Sequence, residues 1–95
     1  MPAYVITDVE ITDASLYGQF IADVTGTVEA HGGKFVVRGG EIEVRLGDWM
    51  PKRLAILEFH NLQQIHAWLE SPEYTALDDI RSRSANIKMV VVDGV

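Results

Sequence analysis

Hydrophobic and polar positions change period several times along the chain, and each change marks an element. From Tyr4 to Ile11 the residues alternate and are β-branched at Val5, Ile6, Thr7, Val9 and Ile11, which predicts a strand. Thr12-Asp13 then offers a helix N-cap, and Leu16, Phe20, Ile21, Val24 and Val28 recur at helical spacing on one face. His31-Gly32-Gly33 closes that helix. Gly32 suits the left-handed position past a helix end, and His31 sits where the helix dipole favours a cation. Lys34–Arg38 is a short strand, followed by a turn at Gly39-Gly40. Glu41–Leu46 sets Ile42, Val44 and Leu46 against Glu41, Glu43 and Arg45, the pattern of a half-exposed edge strand. Gly47–Lys52 is a loop carrying Trp49, and Leu54–Phe59 is the central strand. Asn61 with Gln64 three residues on resembles a capping box and opens a helix to about Glu70. Ser71 caps a second helix, with Pro72 at its first position and an end near Asn86; Ile87–Asp93 is the last strand.

This order gives two βαβ-like halves. Right-handed crossovers put both helical layers on one face of a four-stranded antiparallel sheet, so the expected fold is α+β, a ferredoxin-like βαββαβ sandwich in a single domain, residues 1–95. Val36-Val37, Leu54 to Leu57 and Met89 to Val92 are apolar at both parities. Neighbouring strand residues point to opposite faces, so both faces of the sheet should be buried, and the helices cover only one. A second copy packed sheet to sheet, a homodimer, is the expected cover. A light-scattering mass equal to one chain at micromolar concentration would contradict it.

Composition strengthens that expectation and excludes several functions. Of 95 residues 47% are hydrophobic, a large share for a chain whose solitary core is modest. Fourteen acidic residues against eight basic give a net charge of −6, with no basic run to hold nucleic acid or an anionic membrane. With no cysteine, disulfides, thiolate metal sites and thiol catalysis are excluded. No apolar stretch reaches membrane-spanning length, and MPAYVITDVE lacks the pattern of a signal peptide, so a soluble, cytoplasmic protein is expected. His31, His60 and His66 show no metal-ligand spacing, no Gly loop has the GxxxxGK pattern, and Ser15, Ser71, Ser82 and Ser84 lack a nucleophile-elbow context. No metal, nucleotide or other cofactor is therefore expected.

The candidate chemistry gathers between Arg53 and Arg81. Glu58 interrupts the most apolar strand, where an unpaired carboxylate is costly. It reads as a general acid or base, or more plainly as the structural partner of Arg38, Arg53 or Arg81. Arg38 ends a strand beside two glycines, where its planar fork could hold a ligand carboxylate or pair with Glu58. Tyr74, Asp78 and Arg81 fall at i, i+4 and i+7. Asp78 can pair with Arg81, while Tyr74 and Arg81 could offer a phenol and a guanidinium to an anionic ligand; the plainer reading is a partly buried Tyr beside a surface ion pair. Trp68 reads chiefly as core, and Trp49 as a pocket lid or, more readily, a dimer contact.

At these residues the chain resembles a known family. HGGKFVVRGG (His31–Gly40), WMPKR (Trp49–Arg53), EFHNLQQIHAWLESPEYTAL (Glu58–Leu77), Arg81 and VVVDG (Val90–Gly94) resemble the bacterial domain of unknown function 1330 family. The match covers nearly the whole chain. The resemblance implies membership of the dimeric α/β-barrel superfamily, ferredoxin-like subunits paired through their sheets. That superfamily includes cofactor-free monooxygenases, lactone isomerases and haem enzymes, and the family itself has no established activity. By the resemblance, Gly33, Arg38, Arg53, Glu58, Trp68, Tyr74 and Arg81 fall on family motif positions. Phe20 stands where the family pattern has a second tyrosine, and His60-Asn61 where it has a proline or an acidic residue.

Two function classes follow. In the first, a cofactor-independent enzyme holds a small, anionic organic molecule in a cleft between sheet and helices. There Glu58 and Tyr74 are catalytic, and Arg38, Arg53, Trp68 and Arg81 bind the ligand. In the second, the same dimer is a metabolite-binding or structural module and Glu58 is only structural.

Overall fold

A computed structural model describes all residues, 1–95. The elements are β1 (Ala3–Ile11), α1 (Ala14–Ala30), β2 (Lys34–Arg38), β3 (Leu54–Phe59), α2 (Leu62–Glu70), α3 (Pro72–Thr75), α4 (Asp78–Ser84) and β4 (Ala85–Asp93). The strands form one antiparallel sheet in the order β2-β3-β1-β4 with every helix on one side, the ferredoxin-like arrangement.

Local chemistry fixes the helix ends. Asp13 caps α1 by accepting the Leu16 amide at 3.1 Å, and Asn61 caps α2 by accepting the Gln64 amide at 2.9 Å. Ser71 caps α3 by accepting the Tyr74 amide at 3.2 Å, with Pro72 at the first helical position. At the end of α1, Gly32 has φ 78°, the Gly33 amide donates to the Val28 carbonyl and the Gly32 amide to that of Glu29. This is a Schellman closure, which requires the left-handed residue.

Three expectations need correction. Glu41–Leu46 forms no strand, although its alternation is that of one. Its backbone joins no ladder, although β2 and β4 each keep a free outer edge in the sheet. The single helix expected from Ser71 to about Asn86 is two short helices, α3 and α4, turning at Ala76-Leu77. The last strand starts at Ala85, two residues early, because Ile11 pairs with Ala85 and draws the chain into the ladder.

The core lies between sheet and helices. Ala3, Val5, Thr7 and Val9 of β1 and Ala55, Leu57 and Phe59 of β3 point into it, opposite Val24 and Val28 of α1, Ile65 and Trp68 of α2 and Tyr74 of α3. Gly33 is buried against Phe59, and a Cβ there would fall 2.6 Å from the ring. Gly33→Ala should therefore destabilise the chain by about 1–3 kcal/mol, the usual cost of overpacking, read as a lower urea midpoint.

The other face of the sheet carries Tyr4, Ile6 and Asp8 of β1, Leu54, Ile56 and Glu58 of β3, and Lys88, Val90 and Val92 of β4; no helix or strand lies over it, and only the loop at Trp49 stands against Asp8, Lys88 and Val90. Val90 is 60% exposed and Val92 45%. The sheet is open, so one chain closes no barrel.

Candidate functional site between sheet and helices

A cavity of about 50 Å³ lies between the helix side of the sheet and α1, α2, α3 and α4. Its fifteen lining residues include thirteen hydrophobic ones, among them Phe20, Val24, Phe35, Leu57, Trp68 and Met89. Three side chains supply the polar chemistry. Tyr17 comes from the first turns of α1, Tyr74 from α3 and Arg81 from α4. Thr7 also lines the space, but its hydroxyl already donates to the Ala55 carbonyl at 2.8 Å. The lining has no carboxylate and no imidazole.

Packing holds these groups in place. Trp68 is 2% exposed, and its indole N–H donates to the Thr27 hydroxyl at 2.9 Å. Its ring lies 4.5 Å from that of Tyr74 and 5.4 Å from that of Phe59, so Trp68 is a wall between the core and the cavity. Arg81 is tethered by Asp78 at 2.6 Å while its side chain stays about one-third exposed, so the guanidinium sits at the mouth rather than the floor. The Tyr17 and Tyr74 rings are buried, and neither hydroxyl hydrogen-bonds within the chain; each oxygen keeps access to solvent. Both phenols are therefore open to water or a ligand oxygen.

Of the expected site residues, the structure brings together Trp68, Tyr74 and Arg81. It keeps the others apart. Glu58 lies on the opposite face of the sheet, because β3 alternates and Leu57 and Phe59 take the helix side. Its partner is Lys34, the residue facing it across the β2–β3 ladder, at 3.9 Å, rather than Arg38, Arg53 or Arg81. Arg38 stands outside the cavity, its guanidinium carbon 4.1 Å above the ring of Phe35, which does line it. Arg53 packs its guanidinium beneath Gly39, which has φ 68° and no room for a Cβ, and its Nε is buried without a partner. Arg53 and Glu58 thus serve other parts of the molecule than this cavity.

Tyr17 is the residue that the sequence reading passed over. The buried face of α1 is Tyr17, Phe20, Val24 and Val28, whereas Leu16 is only half-buried. Counting the i, i+3, i+7 spacing back from Val24 through Phe20 ends on Tyr17, and that spacing was the available signal. The Tyr17 ring lies 6.0 Å from that of Phe20. A phenol is thus present one turn before Phe20.

A second cluster sits on the open face. The Asp8 carboxylate accepts the Lys52 amide at 2.9 Å and the Trp49 indole N–H at 3.2 Å, pinning the end of the long loop to β1. Partial burial alone would raise the Asp8 carboxyl. Hydrogen bonds from the Lys52 amide, the Trp49 indole and the Arg53 amide, with the Lys88 cation nearby, outweigh that and hold it below its ordinary value. A depressed carboxyl stabilises the fold above its unfolded-state value and loses that contribution as pH falls through the folded one. The loop anchor should therefore hold at neutral pH and loosen below about pH 4. The NMR shift of the Lys52 amide should follow this transition in the wild type and stay flat in Asp8→Asn.

No helix is long and apolar enough to cross a membrane, and no group of three or more His, Asp or Glu side chains is placed to hold a metal ion.

The chain belongs to the family described as domain of unknown function (DUF1330), whose model matches residues 2–95. No curated protein sequence matches it. Among solved structures it resembles the RPA0582 protein of unknown function from Rhodopseudomonas palustris, with 16% identity, 99% of this chain and 82% of that one covered, and a TM-score of 0.78. It also resembles SnoaB, a cofactor-independent oxygenase from Streptomyces nogalater, at 7% identity, with 99% and 93% covered and a TM-score of 0.68. A dimeric protein of unknown function with a ferredoxin-like fold from Bacteroides fragilis shares 17% identity over 98% and 96% of the two chains, with a TM-score of 0.55. At these identities the likeness is one of fold.

Proposed function

We propose that this protein is a small cofactor-independent enzyme, acting on a compact, mostly apolar organic molecule with one anionic or polar end. The observation that carries this reading is the apolar cavity with two unengaged phenols, Tyr17 and Tyr74, and a guanidinium, Arg81, at its mouth. The apolar walls desolvate the body of the ligand, Arg81 attracts its anionic end, and the phenols donate to or accept from a ligand oxygen. Tyr74 is the catalytic candidate, with Tyr17 joining it. Glu58 has no part in proton transfer, because it faces the other side of the sheet. The description of SnoaB as a cofactor-independent oxygenase supports the reading by analogy of fold.

The sheet-face homodimer belongs to this proposal. The uncovered side carries Ile6, Leu54, Ile56, Val90 and Val92, and a dimeric neighbour has the same fold. A second copy stacked there closes the two sheets toward a barrel. We place the protein in the cytoplasm, in keeping with an acidic, cysteine-free chain.

One observation favours a second reading, a metabolite-binding dimer without turnover: the cavity holds neither carboxylate nor imidazole, the usual proton-transfer groups. The test is to incubate chelator-treated protein with small phenols and carboxylic acids in air and follow the products by mass spectrometry. Conversion lost in Tyr17→Phe/Tyr74→Phe and kept in Glu58→Gln supports the enzyme. Conversion unaffected by the double variant contradicts the proposed site. Binding without conversion leaves the second reading.

A further inference from the structure

The segment after β2 has the pattern of a strand and none of its bonds. Ile42, Val44 and Leu46 alternate with Glu41, Glu43 and Arg45, yet no backbone–backbone hydrogen bond involves residues 40–52. Leu46 is 94% exposed and Val44 42%. An apolar alternation left in water with a row of free amides and carbonyls is a strand lacking its neighbour. The same chain has an edge to match. β4 is nine residues long and pairs only with β1, and its outer edge carries no proline, bulge or covering element.

We propose that Glu41–Leu46 is an exchanged arm, pairing as a strand with the free β4 edge of a second copy. The proposal rests on the sheet-to-sheet dimer above and adds what clasps it. Geometry supports this occupant over the arm's own β4. The arm leaves at β2, the edge opposite β4 in the order β2-β3-β1-β4, so its own β4 edge lies a full sheet width away, and only the later residues Trp49 to Lys52 reach across the open face. A two-fold axis along the strands lays the partner's β4 edge above β2, one sheet spacing of about 10 Å away. Six extended residues reach about 20 Å. The polarity also fits. β2 and β4 run in opposite directions within one sheet, and such an axis preserves direction, so an arm continuing β2 runs antiparallel to the partner's β4. Ile42, Val44 and Leu46 can then join Val90 and Val92 between the two sheets, with Glu41, Glu43 and Arg45 outside. Asp8, by pinning Trp49 and Lys52 to β1, fixes the returning end of the arm on the face that the partner covers.

The experiment is amide hydrogen exchange by NMR on wild-type protein, at concentrations above and below dimer dissociation, with Val44→Pro beside it. The proline removes one ladder donor outside the core. Protection of the Glu41–Leu46 amides and of the β4 amides not bonded to β1, lost on dilution to monomer, supports the arm. Val44→Pro should then weaken the dimer by about tenfold or more while the β1–β3 amides stay protected. A wild-type dimer whose arm exchanges freely, and which Val44→Pro leaves unchanged, overturns the arm and leaves the dimer standing. Arm protection that persists in the monomer also overturns it, since the pairing would lie within one chain. A wild type monomeric at every concentration overturns both.

Discussion

Trp68→Ala is expected to lower stability by about 3–5 kcal/mol, the range for deleting a large buried aromatic. A 95-residue domain has only about 5–14 kcal/mol in total, so the variant should be partly unfolded at 37 °C. The size of the effect follows from what Trp68 touches. It is almost fully buried, packs on Phe59 of β3 and Tyr74 of α3, and donates to Thr27 of α1. Its removal opens a void where three elements meet and strips the Thr27 hydroxyl of its donor. Trp68→Phe should cost less, because it keeps the ring contacts and loses only the indole hydrogen bond and part of the volume. Urea unfolding of the two variants separates the terms. Equal midpoints for Trp68→Ala and wild type would contradict the packing described.

Ile56→Asp is expected to split the dimer without unfolding the chain. Ile56 sits on β3, opposite Ile6 of β1 and Val37 of β2, in the middle of the uncovered face. In one chain the new carboxylate meets water. In a face-to-face dimer it would be buried without a partner, once in each copy, at a cost larger than most interfaces tolerate. Light scattering should give about twice 10.6 kDa for the wild type and 10.6 kDa for the variant, with unchanged far-ultraviolet circular dichroism. A variant that keeps the wild-type mass would place the interface elsewhere.

Both predictions turn on facing, the property that strand patterning conveys best when alternation is strict and worst when it is not. In β1 the alternation of Val5, Thr7 and Val9 with Ile6 and Asp8 matches the burial. In β3 every position but Glu58 is apolar, so composition alone could not say which face Glu58 takes. The ladder decides it, because Phe59 pairs with Ala3 on the helix side and Glu58 with Tyr4 on the other. The expected meeting of Glu58 with Tyr74 and Arg81 failed for that reason. Caps were legible because they depend on contacts within three residues: Asp13, Asn61 and Ser71 all bond as their spacing implies. The Glu41–Leu46 strand was not, because pairing depends on a partner edge that no local pattern specifies. Trp68, Tyr74 and Arg81 reach one cavity because the break at Ser71-Pro72 and the turn at Ala76-Leu77 fold three short helices around it. The helix repeat alone places residues on a single helix and does not anticipate those bends.

The central claim is that the space between sheet and helices is a ligand site. A cavity of about 50 Å³ admits a few water-sized groups, so a ring-sized ligand enters with some side-chain movement or keeps part of itself at the Arg81 mouth. The most direct test is an amide NMR titration with isobutyrate and benzoate, each an apolar body with one carboxylate. Saturable shifts centred on Tyr17, Val24, Tyr74 and Arg81, weakened in Arg81→Gln and unchanged in Glu58→Gln, are the predicted result. Shifts confined to the open sheet face, or none that saturate, would contradict it.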